Sequence, residues 1–91
     1  MTTTPLPAGA VDAGAFDVDG IRATHGPTLT TGGGRVSAAV CQTTGGDLIM
    51  HGEDAAHVLV AAEVALSPAQ AREYALQILA AADLAATWAA G

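Results

Sequence analysis

The residues with the best claim to chemistry lie in one short run, His51-Gly-Glu-Asp-Ala-Ala-His57. His51, Glu53, Asp54 and His57 offer imidazole nitrogens and carboxylate oxygens, the donors that zinc and similar divalent ions accept. Cys41 lies on a stretch expected to pair back towards His51, which would add a sulfur ligand to the same set. The spacing fits no zinc signature, because the two histidines are separated by a turn rather than carried on one helix face as in H-E-x-x-H. A metal- or ligand-binding loop at His51, Glu53, Asp54 and His57 is therefore the alternative reading. A polar turn joining two strands is the simpler one.

Nucleophilic catalysis needs a cysteine or serine paired with a base and an orienting acid. Neither Ser37 nor Ser67 sits on a strand-to-helix elbow, and Ser67 is placed to cap a helix. Cys41 lies in an apolar stretch, where cysteine serves as a small buried side chain. The run Thr30 to Arg35, TTGGGR, lacks the Gly-Lys-Ser/Thr ending of a phosphate-binding loop and reads as a flexible turn. These patterns point away from an enzyme and imply no cofactor.

Such residues must be positioned by a small framework. The chain has 91 residues, 51% of them hydrophobic, but much of that share is alanine and only Phe16, Tyr74 and Trp88 are aromatic. A core built from small side chains buries little area, so a chain of this size is expected to gain buried surface by self-association. Three arginines stand against nine acids, a net charge of −6. That excludes the basic stripe needed to neutralise nucleic-acid phosphates and disfavours anionic membrane surfaces. The N-terminus lacks the basic start and apolar core of a signal peptide, and no run approaches the roughly 18 apolar residues of a membrane span. The expectation is a soluble cytoplasmic protein.

Residues 1–15 are mainly threonine, proline, alanine and glycine, without periodicity, and read as a disordered tail before one small domain over 16–91. Phe16 to Thr24 reads as a first strand with a bulge or tight turn at Asp19-Gly20, and Thr28 to Thr31 is β-prone. Arg35 to Thr43 alternates, with Val36, Ala38 and Val40 on one face. A turn at Gly45-Gly46 leads to a short return strand over Leu48 to His51. His57 to Leu66 alternates again, placing Val58, Val60, Ala62, Val64 and Leu66 on one face. Its other face, His57, Leu59, Ala61, Glu63 and Ala65, is too apolar for a solvated surface, and a helix over Asp54 to Leu66 competes with the strand.

The strongest local signal is Ser67 to Ala90. Ser67, Pro68 and Gln70 form an S-P-x-Q start with a capping box, strong helix formers follow, and Gly91 is suited to stopping the helix. The helical wheel gathers Ala71, Ala75, Ile78, Leu79, Ala82, Ala85, Ala86 and Ala89 on one broad inward face. Leu76 and Leu84 then break the polar side, with Trp88 nearby, and mark an interface together with Leu59 and Ala61.

The ending Leu66-Ser67-Pro68 with Ala71-Arg72 and Ala81-Ala82-Asp83 resembles that of small actinobacterial and actinophage proteins, in which a strand runs into a capped alanine-rich helix. The resemblance spans about Val58 to Ala86 and implies an α+β fold from a GC-rich bacterial or phage source, with no activity attached. The expected architecture is accordingly α+β: an antiparallel sheet of three to four strands with one long C-terminal helix packed on one face. The expected function is a small non-enzymatic protein–protein interaction or regulatory protein, homodimeric, or neutralising a basic cognate or host protein.

Overall fold

A computed structural model describes residues 3–63 and 65–90. It is α+β, with an antiparallel five-stranded sheet and one C-terminal helix packed against it. The strands are β1 (Asp12–Ala13), β2 (Ile21–His25), β3 (Leu29–Thr31), β4 (Gly34–Thr43) and β5 (His57–Ala62), followed by α1 (Pro68–Ala89). The fold class matches the expectation, with one strand more than the three to four foreseen.

Strand β4 organises the sheet. Its ten residues are flanked on one edge by β2 and β3 in succession and on the other by β5. β2 pairs His25 with Ala39, whereas β3 pairs Leu29 with Val36, so the three residues between them on one side oppose two on the other. The extra residue is a bulge at Gly26-Pro27-Thr28, where proline withholds a ladder donor and Gly26 N–H still reaches the Ala38 carbonyl at 2.9 Å. Gly32-Gly33 closes the β3–β4 hairpin. Gly34 is required by close approach, since a Cβ there would stand 2.9 Å from the Tyr74 ring.

Alternation along β4 sends Val36, Ala38 and Val40 to the helix, where they form the core with Tyr74, Ala81, Ala85 and Trp88. Thr24 and Gln42 are the buried polar residues, and both are satisfied. Thr24 Oγ1 donates to the Val40 carbonyl at 2.8 Å, and Gln42 accepts from Arg22 and donates to the Pro5 carbonyl.

The helix starts as its sequence dictates. Ser67 Oγ accepts from Gln70 N–H at 3.1 Å, and Gln70 Oε1 accepts from Ser67 N–H at 2.9 Å. Ser67→Ala is expected to lose about 1 kcal/mol, lowering the thermal midpoint by about 4–8 °C in circular dichroism. The buried face differs from the wheel expectation. Tyr74, Ala81, Ala85 and Trp88 face the sheet, while Ala71, Ala75, Leu79, Ala86 and Ala89 are exposed. The large aromatic side chains set the rotation because they bury the most area; the alanine count does not. The proposed helix stop at Gly91 lies outside the described residues.

Three further expectations shift. Phe16 to Gly20 is a turn, not strand: Asp17 Oδ1 accepts from the N–H groups of Asp19 and Ile21, and Gly20 takes φ +75°. Leu48 to His51 contributes a single bridge, Leu48 to Gln42, because the chain leaves the sheet after Ile49 N–H bonds the Cys41 carbonyl. The last strand ends at Ala62 rather than Leu66, and Val64 lies outside the described residues.

The described part of the expected tail, residues 3–15, follows a defined path. Trp88 Nε1 donates to the Ala8 carbonyl at 2.8 Å, Arg22 donates to the Thr4 carbonyl, and Thr4 Oγ1 donates to the Thr44 carbonyl. Asp12 and Ala13 add β1 beside β2. Low hydrophobicity hid this segment, because it is held by its backbone carbonyls and not by its side chains.

Candidate functional site

The run His51 to His57 does not assemble into a metal centre. No group of three or more His, Cys, Asp or Glu side chains is placed to hold a metal ion among the described residues, which include all of 51–57. His51, Glu53 and Asp54 are exposed on the turn, and His57 lies half-buried at the start of β5 with Nδ1 2.7 Å from the Ala55 carbonyl. A chelator is expected to leave the thermal midpoint of tag-free protein unchanged, in a melt run with and without EDTA.

Cys41 meets Asp54 rather than His51. The Asp54 carbonyl accepts from the Cys41 N–H at 2.9 Å. Burial, then the Asp54 carboxylate and more weakly that of Asp17, push the thiol above its ordinary value of 9.0. The thiolate is therefore scarce at neutral pH, the reverse of what a nucleophile needs. Iodoacetamide should react with a pH–rate midpoint above 9.0; a midpoint below that value would contradict the arrangement. The recess beside the Gly32–Gly34 turn, about 460 Å³, is lined by Arg35 and Glu63 with threonine, glycine and alanine. It contains no cysteine, serine or histidine that could serve as nucleophile or base.

What the fold does build is an open sheet edge. β5 pairs β4 on one side and no strand on the other among the described residues. Its sequence, HVLVAA, contains no lysine, aspartate, glutamate or proline, the residues that usually blunt such an edge. Glu63 N–H donates to the Gly33 carbonyl at 2.7 Å. Since antiparallel pairs alternate between bonded and non-bonded, His57, Leu59 and Ala61 bond β4, and the N–H and C=O groups of Val58, Val60 and Ala62 point outward.

The side chains around this edge are apolar and wet. Val60 is 59% exposed and Leu59 45%. Above the edge stands one flank of α1. The opposite flank is fixed towards β3 and β2, because Gln77 Nε2 donates to the Thr30 carbonyl, Thr31 Oγ1 donates to Glu73, and Leu84 lies over Gly26. Ala71, Ala75, Leu79 and Ala82 therefore line the flank on the β5 side, with Leu79 61% exposed.

Of the interface residues expected from sequence, Leu59, Ala61 and Leu76 are exposed. Leu84 is not available: it is half-buried against Gly9 and Gly26. Trp88 is 3% exposed and belongs to the core, because its ring fills the space between β4 and the N-terminal segment. Missed by the sequence reading were the outward backbone groups of Val58, Val60 and Ala62 and the flank residue Leu79. The available signal was a strand apolar on both faces with no charge or proline within it. No helix among the described residues is long and apolar enough to cross a membrane. Compared with known proteins, the chain significantly matches no family model, no curated protein and no solved structure.

Proposed function

We propose that this chain is a small non-enzymatic interaction protein that self-associates through the free edge of β5 and the adjacent flank of α1. The observation that carries the reading is the unblocked edge itself: six apolar or neutral residues with outward N–H and C=O groups and no partner among the described residues. Such an edge is a template for another strand, in which main-chain bonds supply affinity and alternate side chains supply specificity. The thin, alanine-rich core gives the second motive, because a chain of this length gains stability by burying more apolar surface.

Amide hydrogen exchange tests it. The amides of Val58, Val60 and Ala62 exchange fast in an isolated chain and slowly when another strand covers them. Protection at these three that fades on dilution, while Leu59 and Ala61 stay protected by β4, is the expected result. Fast exchange at all three at every concentration would overturn the reading.

A further inference from the structure

We infer that the β5 edge receives a second copy of this chain, antiparallel about a two-fold axis through Val60, with His57 of each copy facing Glu63 of the other. The inference rests on the reading of β5 as the contact edge, and adds the register and the residues that fix it.

The register follows from which groups point outward. New bonded pairs must be drawn from Val58, Val60 and Ala62 on both strands, and a symmetric pairing that engages at least two of them on each strand centres on Leu59, Val60 or Ala61. Centred on Leu59, it sets Glu63 opposite the partner's Ala55, with no charge partner. Centred on Ala61, it sets Glu63 opposite the partner's Leu59, a carboxylate against an apolar side chain. Centred on Val60, it sets His57 opposite the partner's Glu63, twice by symmetry. Leu59 then meets the partner's Ala61 and Val58 the partner's Ala62, large against small in each case. Val60 meets its own copy on the helix side of the sheet, where its side chain is exposed.

The two polar side chains are placed for this. His57 keeps Nδ1 at 2.7 Å from its own Ala55 carbonyl, which leaves Nε2 for the partner. As an imidazolium it donates from both nitrogens, to that carbonyl and to the partner's carboxylate. Glu63 is exposed and makes no ion pair in its own chain among the described residues. An imidazolium and a carboxylate directly across antiparallel strands attract, and the other two registers forgo the pair. The assembled dimer joins two five-stranded sheets into one continuous sheet of twice the width and removes the open β5 edge.

Cysteine scanning tests the register. In a Cys41→Ala background, Leu59→Cys, Val60→Cys and Ala61→Cys are oxidised separately and read on a non-reducing gel. Val60→Cys should cross-link, because residues directly opposite lie within the Cα separation that a disulfide spans. Leu59→Cys and Ala61→Cys alone should not, since each is displaced from its own copy by two residues, about 7–8 Å. The double variant Leu59→Cys/Ala61→Cys should cross-link as Val60→Cys does. Glu63→Ala should raise the dissociation constant roughly two- to thirtyfold through loss of two cross-strand pairs. A native dimer that cross-links at 59 or 61 alone, or at none of these positions, would overturn the Val60 register and leave self-association standing. A chain that is monomeric under native conditions would overturn both.

Discussion

Replacing Trp88 with alanine is expected to lower the thermal midpoint by at least about 12 °C and to leave little cooperative folding. The ring is 3% exposed and packs with Val36, Ala38, Val40, Tyr74, Ala81 and Ala85 in the one core cluster. Truncating a buried tryptophan costs about 3–5 kcal/mol, and a domain of this size holds only about 5–14 kcal/mol in all. Each kcal/mol moves the midpoint of such a chain by about 4–8 °C. The loss is compounded at the Ala8 carbonyl, which gives up its 2.8 Å bond from Nε1. Trp88→Phe keeps most of the ring and removes that bond, so it should cost far less, about 1 kcal/mol. Circular dichroism melts separate the two variants. A Trp88→Ala midpoint within a few degrees of wild type would show that the ring does not anchor the core.

Val60→Pro is expected to convert the protein to a monomer while its fold survives. The Val60 N–H points away from β4, so proline at this site removes a donor that the folded chain does not use. It removes one that the proposed second copy would need. Proline also stands out of plane at the edge and keeps another strand from closing on it. Val60→Lys reaches the same end by placing two charges side by side at the two-fold axis, where the native valine is 59% exposed and makes no core contact. Both variants should keep the far-ultraviolet spectrum of the native chain and lose concentration dependence in their melts. A variant that remains dimeric would move the contact away from β5. Leu76→Asp is the matching control, because Leu76 is 68% exposed on the side of α1 away from the sheet.

The parts of this fold legible in the sequence are those fixed by neighbours in the chain. Ser67 and Gln70 form the capping box three residues apart, and the alternation through Val36, Ala38 and Val40 marks the buried face of β4. The rotation of α1 was not legible by counting small residues. It is set by Tyr74 and Trp88, two large side chains that share a face with Ala81 between them at seven-residue steps. Residues 3–13 were illegible for a different reason. Their anchors are carbonyls of Thr4, Pro5 and Ala8 bonded by Arg22, Gln42 and Trp88, groups far away in sequence. The open edge of β5 lay between these cases. HVLVAA announced a strand apolar on both faces, but which backbone groups it leaves unpaired depends on its register with β4. Leu84 shows the converse: its place on the wheel suggested an exposed contact, and the path of Gly9 and Gly26 beneath it covers it.

If β5 joins two copies of this chain, the mass of the native particle is doubled. The chain weighs 8.9 kDa, so light scattering coupled to size exclusion should return twice 8.9 kDa at micromolar concentration, falling towards 8.9 kDa on dilution and at every concentration for Val60→Pro. A wild-type mass of 8.9 kDa throughout, or a Val60→Pro chain that keeps the doubled mass, would contradict it.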